Sequence, residues 1–204
     1  MFIVKIILFI ASLLCLAGNS VAFEKISLKH LSEYLMLNDK LYGEFTQIND
    51  DKTTSTGKVF LLRPGRMRIE YEKPDNSLII VGGSRITVFD SRSNTYPREY
   101  SLTKTPLKLL LKKEINLVGS KSILSHTKNG KFTEVILHDP KSPTLGQLML
   151  KFLDHPISLR EWVITNSTGE KTTLEFKSLS YTHELTNDYF NTSIELDRRK
   201  NQMR

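Results

Sequence analysis

The residues of this chain whose side chains could do acid, base, nucleophilic or metal chemistry are few and scattered. Five histidines, His30, His126, His138, His155 and His183, share no spacing that metal ligation uses. The one cysteine, Cys15, falls in an apolar N-terminal run. Glu70 and Glu72 pair as carboxylates only by projecting from one polar strand face. There is no G-x-S-x-G elbow, no H-E-x-x-H and no phosphate-cradling glycine loop; Gly82-Gly83 reads as a turn. Asn166-Ser167-Thr168 and Asn191-Thr192-Ser193 fit the glycosylation sequon. This inventory points away from an enzyme and away from any metal or other cofactor. What stands out is a lone cation, Arg63, at the strand junction "FLLRPGRMRIEYEKP" of residues 60–74. After it Met67, Ile69 and Tyr71 face one way, and Arg66, Arg68 and Glu70 the other. That basic strand face, Arg66 and Arg68, is a docking surface or a merely solvated one.

The elements that position these residues begin after an address. Lys5 is followed by an apolar run over Ile6–Ala17 and the small-x-small triplet Ser20-Val21-Ala22. The run is too short for the roughly 20 residues of a membrane span, so residues 1–22 read as a cleavable signal peptide. Leu14 before Cys15 does not suit a lipoprotein signal. Cleavage leaves residues 23–204 as a single domain, without cysteine, held together by packing alone. It also lowers the formal charge from +7 to +6. Such an excess suits nucleic acid, an anionic membrane or acidic partners, but export argues against nucleic acid. Much of it lies in a basic tail, Arg198, Arg199, Lys200 and Arg204, expected to be a solvated end.

Leu28, Leu31, Tyr34, Leu35, Leu41 and Tyr42 recur at helical steps and predict one amphipathic helix over 28–42, ended by Gly43. Strands are expected at 44–49, 57–63, 66–72, 78–82, 85–90 and 95–101, between Gly-, Pro-, Asn- and Asp-rich turns. A second helix is expected over 107–113, with Thr105 as N-cap, Pro106 at its first position and Leu107, Leu110 and Leu111 on one stripe. Strands resume at 121–127, 131–138, 146–153, 158–165 and 170–180, with hairpin turns at Lys128–Gly130 and Asn166–Gly169. About eleven short strands with short turns imply an antiparallel sheet that curls or closes to hide its edges. Its concave face encloses either an ordinary core filled by the helices or space for a ligand.

These segments, in order, resemble the outer-membrane lipoprotein carrier proteins of Gram-negative bacteria, the LolA family, and its alphaproteobacterial branch most. The resemblance runs through "GEFTQ" at 43–47, "GKVFLLRPGRMRIEYEKP" at 57–74, "LIIVGGSRITVFD" at 78–90, "YSLTKTPLKLLL" at 100–111 and "NDYF" at 187–190. It departs from the family in two places. No proline follows Phe190, and no tryptophan lies among Ile86–Phe89.

The resemblance implies a mainly β fold: an unclosed antiparallel half-barrel with short helices as a lid over an apolar cavity. It implies a monomeric periplasmic carrier that takes acylated lipoproteins from an inner-membrane ABC transporter (LolCDE-like). The carrier would deliver them to an outer-membrane acceptor (LolB-like). The family's Arg of the R-P motif holds the empty carrier's lid, and Arg63 occupies that position. On the residues alone, Arg63 equally well caps a turn. Expected acyl-chain contacts are Phe60, Leu62, Met67, Ile69, Tyr71, Ile80, Phe89, Leu148, Leu150, Trp162, Ile164, Leu174 and Phe176. Expected lid residues are Leu31, Leu35, Pro106, Leu107, Leu110 and Leu111. A plain core role serves each of these as well. Two other readings remain at this stage. A related half-barrel binds another lipid or senses mislocalised lipoproteins in envelope-stress signalling, as RseB-type regulators do, though such sensors usually add a second domain. An exported β-domain that binds only protein partners is the third.

Overall fold

The computed structural model describes residues 24–93, 96–181 and 184–202. The expected signal peptide, residues 1–22, and His183 lie outside the described residues. The chain opens with α1 (Leu28–Leu37), whose N-cap Ser27 accepts a hydrogen bond from His30 N–H. Six strands follow: β1 (Lys40–Ile48), β2 (Thr54–Leu62), β3 (Arg66–Tyr71), β4 (Leu78–Gly82), β5 (Arg85–Phe89) and β6 (Arg98–Ser101). Two single-turn helices, Leu102–Lys104 and Pro106–Leu109, start the connection to β7 (Ile123–Asn129). Then come β8 (Phe132–His138), β9 (Gln147–Leu153), β10 (Ser158–Thr165), β11 (Lys171–Ser180) and a C-terminal α2 (Thr192–Gln202).

All eleven strands form one antiparallel sheet in the order β6-β5-β4-β3-β2-β1-β11-β10-β9-β8-β7. Two meanders, β1–β6 and β7–β11, join along β1 and β11, while β6 and β7 stay unpaired with each other. The half-barrel is therefore unclosed, as expected. Its turns carry the predicted chemistry: Gly130 and Gly169 adopt φ of +57° and +90°, and Asn166 Oδ1 accepts from the N–H groups of Thr168 and Glu170.

Three elements differ from the sequence reading. The first helix ends at Leu37, because Asn38 leaves helical geometry (φ −107°, ψ 62°). Leu41 and Tyr42 then alternate on β1, paired with β2 and, at Tyr42, with β11; their helical spacing is coincidental. The second helix is one 3₁₀ turn and a bend rather than a helix to 113. Thr105 stands at its N-cap position, with Pro106 following, but its hydroxyl donates back to the carbonyl of Leu102 and makes no capping bond. The basic tail lies on α2, which packs Leu196 on the convex side of the sheet; Arg198 and Lys200 stay exposed, Arg199 is half-buried, and Arg204 lies outside the described residues.

Inward residues of neighbouring strands oppose one another directly: Leu41 opposite Leu61, Val59 opposite Ile69, Met67 opposite Val81, Trp162 opposite both Leu150 and Leu174. They form one apolar cluster that α1 and the segment 106–111 cover.

Candidate functional site

The site is the concave face and its cover. Leu31 and Leu35, one turn apart on α1, are buried against the cluster. Pro106, Leu107, Leu110 and Leu111 are also buried there, and so is Leu109, which a 3₁₀ turn brings inward and an α-helical count misses. Of the expected acyl contacts, Met67, Ile69, Leu148, Leu150, Trp162, Leu174 and Phe176 belong to this cluster, and Tyr71 and Ile164 pack on its margin. Burial, then nearby Asp75, pushes the Tyr71 hydroxyl up to about 12, and it donates to Gln47 Oε1 at 2.7 Å.

Four expected contacts lie elsewhere. Phe60 and Leu62 pack with Leu185 and Phe190, and Ile80 and Phe89 pack with Leu78 and Leu196. Both groups are convex. The reason is register: Ile80 lies opposite Arg68, and Phe60 opposite Arg68 on the other side, so all three share the outward face. Arg66 and Arg68, expected on a docking or solvated face, are occupied by the C-terminal segment. Arg66 bonds Asn187 Oδ1, while Arg68 reaches Tyr189 O and Glu195 at 3.4 Å.

Arg63 continues the inward parity of Val59 and Leu61 and is only 7% exposed. Its Nη2 donates to the carbonyls of Leu35 and, at 2.5 Å, Asn38. These are carbonyls at the end of α1, where a helix has no acceptors' partners of its own and its dipole favours a cation. Burial holds the guanidinium below its ordinary range, and nearby Asp39 partly restores it. Two residues on, Gly65 N–H donates to Leu111 O at 2.8 Å. One turn between β2 and β3 thus grips both pieces of the cover. Turn-capping and helix-holding are the same contact here.

The opposite end of α1 is tied to β7 and β8. Ile26 N–H donates to Thr133 Oγ1 at 3.0 Å, and His126 Nε2–H donates to Ile26 O at 2.9 Å. Burial, with Lys25 adding to it, holds His126 below its ordinary range against that hydrogen bond. Midway, Leu117 N–H donates to Ser32 Oγ, and Leu159 N–H to the Tyr34 hydroxyl, each at 2.9 Å. Tyr34 also bonds Tyr181, whose hydroxyl burial pushes upward. Tyr181, Leu61 and Leu159 were not singled out in the sequence, and Tyr34 and Leu41 only as part of a helical stripe. The inward position of Arg63 marks Leu61 by parity, but nothing local marks Tyr181.

Beneath α1 the packing leaves a gap of about 20 Å³ among Leu35, Leu41, Leu61, Arg63, Leu110, Leu159, Trp162 and the two tyrosines. A wider groove of about 700 Å³ lies outside α1, where Glu24, Lys25, Glu33 and Asp154 alternate with Ile26, Leu37, Pro156 and Ile157. The groove touches the apolar cluster at Ile26, while the small gap lies among the cluster's own residues beneath α1. Among the described residues, no group of three His, Cys, Asp or Glu side chains is placed to hold a metal, and no helix is long and apolar enough to cross a membrane.

The chain is similar to known proteins. The family model described as outer membrane lipoprotein carrier protein LolA matches residues 38–193. An outer-membrane lipoprotein carrier protein of Azotobacter vinelandii is 24% identical over 159 residues, 74% of this chain and 75% of that protein. Its counterpart in Coxiella burnetii is 26% identical over 166 residues, 76% of this chain and 78% of that protein. A crystal structure of a LolA superfamily protein from Nitrosomonas europaea superposes with a TM-score of 0.45 at 11% identity, over 82% of this chain and 99% of that one. The matched span runs from Asn38, just past α1, through the whole sheet to Ser193, and the chain belongs to the LolA family of outer membrane lipoprotein carrier proteins.

Proposed function

We propose that this protein is a periplasmic carrier, exported by its N-terminal signal peptide, that encloses the acyl chains of lipoproteins beneath α1 and the 106–111 segment. It takes them from an inner-membrane ABC transporter and yields them to an outer-membrane acceptor. The need is physical. Each CH₂ kept from water is worth about 0.8 kcal/mol, so a 16-carbon chain carries about 12 kcal/mol and does not cross water unaided. At roughly 30 Å³ per CH₂, close to the share of one water, that chain fills about 480 Å³. The gap of about 20 Å³ holds none of it, so loading requires the cover to move.

One observation carries the reading: a buried arginine holds the end of a covering helix by bonds to carbonyls, over a cluster of purely apolar side chains. Such charge-assisted bonds contribute about 1.5–3 kcal/mol. They are strong enough to bias the empty protein shut and weak enough for acyl contacts to replace. In the loaded state they compete with cargo, which favours release.

Arg63→Leu tests this in a purified uptake and transfer assay. Removing the competitor is expected to leave uptake intact and slow transfer to the acceptor about tenfold or more, since 1.4 kcal/mol is tenfold. Wild-type uptake and transfer in the variant would remove Arg63 from the mechanism. Organic extracts of the purified protein, examined by mass spectrometry, are expected to contain acyl lipid.

A further inference from the structure

The cover conceals two hydrogen-bond donors that the closed protein leaves without partners. Trp162 Nε1 and Arg63 Nε are buried and accept no bond from any described residue, nor donate to one. Both side chains are more than nine-tenths buried, at 1% and 7% exposed. Both belong to residues that wall the same small gap beneath α1. A third such atom, Ser158 Oγ, sits on a residue outside that wall.

Buried donors are almost always satisfied, and an orphaned one lowers stability appreciably, so two at one gap call for an explanation. Packing uses the indole ring, which stands edge-on to Phe176 at 4.9 Å, and not its N–H. What the two N–H groups in this wall lack is an acceptor that brings no donor of its own and arrives attached to an apolar tail. A carbonyl oxygen at the head of an acyl chain has that chemistry; a plain hydrocarbon does not.

We propose that Trp162 Nε1 and Arg63 Nε form a subsite for the acyl carbonyl oxygen at the head of a bound chain. The inference rests on the carrier reading above and adds to it a fixed depth. The carbonyl stops at the Trp162–Arg63 wall under α1, and the methylenes run on toward Leu148 and Leu150. Arg63 then has two acceptor sets, the α1 carbonyls in the closed state and the acyl head in the loaded one. The indole, which has no alternative acceptor, reports only the loaded state.

Trp162 is the chain's single tryptophan, so its indole N–H gives one peak in a ¹⁵N–¹H spectrum of the full-length protein. Three probes of matched length separate the cases: methyl decanoate, decanoate and undecane, with binding also followed by calorimetry. Methyl decanoate is expected to move the indole proton downfield and to bind about five- to tenfold more tightly than undecane, the worth of one such bond. Trp162→Phe is expected to erase that preference, so that methyl decanoate and undecane bind within about twofold of each other in the variant. A response to both oxygenated probes supports the subsite for ester and carboxylate heads alike. A response to decanoate alone supports it for free fatty acids only. Equal binding of all three probes with an unmoved indole peak overturns the subsite and leaves the carrier reading intact. No binding by any probe overturns both.

Discussion

The two faces of one sheet are covered in opposite ways. On the concave face, α1 and the 106–111 segment lie over the main cluster; α1 is tied down by hydrogen bonds, with Arg63 bound to carbonyls rather than to a carboxylate, and the 106–111 segment carries one ion pair, Lys108–Asp139. On the convex face, the C-terminal segment lays Leu185, Phe190 and Leu196 over Phe60, Ile80 and Phe89. Charge fixes it there. Glu195, 4% exposed, accepts from Arg198 and Arg199 at 2.8 Å and faces Arg68 at 3.4 Å, while Arg199 stacks on Phe89 at 4.7 Å. Neutral carbonyl bonds suit a cover that opens, because breaking them strands no ion pair. A carboxylate gripped by three arginines suits one that stays.

The comparison breaks first if either cluster proves dispensable. Phe45, 1% exposed, packs edge-on to Tyr71 and so close to Gly57 that a Cβ there would lie 2.8 Å from its ring. Phe45→Ala is expected to lower stability by about 3–5 kcal/mol in urea melts, and Phe60→Ala on the convex face by about 3. Next comes the convex clamp. Glu195→Gln is expected to cost about 2 kcal/mol, less than a fully buried pair because Arg198 is half exposed. Burial alone would raise the Glu195 carboxyl, but Arg198, Arg199 and Arg68 outweigh it and hold the group below its ordinary range. Its contribution is therefore present above the ordinary carboxylate pKa and is lost as pH falls through the lower folded value. Stability of the wild type should drop through that acid window, and the Gln variant should show a shallower drop.

Legibility in the sequence followed the contrast between faces. In "MRIEY" arginines and a glutamate mark the outward side, so Met67, Ile69 and Tyr71 were assigned inward correctly. In "VFLL" at 59–62 and "LIIV" at 78–81 both faces are apolar because both are covered, and parity has no polar mark to count from. Phe60, Leu62 and Ile80 went to the wrong side for that reason; Phe89 shares its parity with Arg85 and Thr87, a polar mark that was there to count from. Arg63 held the missing mark: an inward Arg63 forces Leu61 and Val59 inward and Phe60 and Leu62 outward. The terminal helix α2 was invisible for a different reason. Its apolar positions are only Ile194 and Leu196, and ion pairs, which leave no periodic pattern, hold it. The strand count and turns were legible because turn residues and alternation are local; that the sheet stays unclosed came from the family resemblance.

The concave cover is expected to respond locally where the convex one responds globally. Arg63→Leu removes two bonds from the end of α1 but also removes a buried charge and an orphaned Nε. These effects oppose, so the melt should shift by only about 1 kcal/mol. Amide exchange should separate the faces. In this variant, amides of α1 near Leu35–Asn38 are expected to exchange about tenfold faster, while those of α2 and β3 keep wild-type protection. Equal acceleration in α1 and α2 would mean that the two covers belong to one cooperative unit and that the contrast drawn here is false.

The smallest effect belongs to the part of the convex face that no described element covers. On β8–β10, Lys151 lies between Glu134 and Glu161, with Nζ 4.0 and 3.0 Å from their carboxylates, and its ammonium sits 5.2 Å from the Phe132 ring centre. The three side chains are 15–23% exposed, so water screens them more than it does Glu195. Pairs of this kind contribute about 0–1 kcal/mol. Lys151→Met keeps the stem's packing on Phe132 and removes the charge, and it is expected to change stability by less than about 1 kcal/mol with no change in α1 exchange. A loss as large as that of Glu195→Gln would show that ion pairs on the open half also hold the sheet's curvature. Charge would then brace the whole convex side, and not only the strip beneath α2.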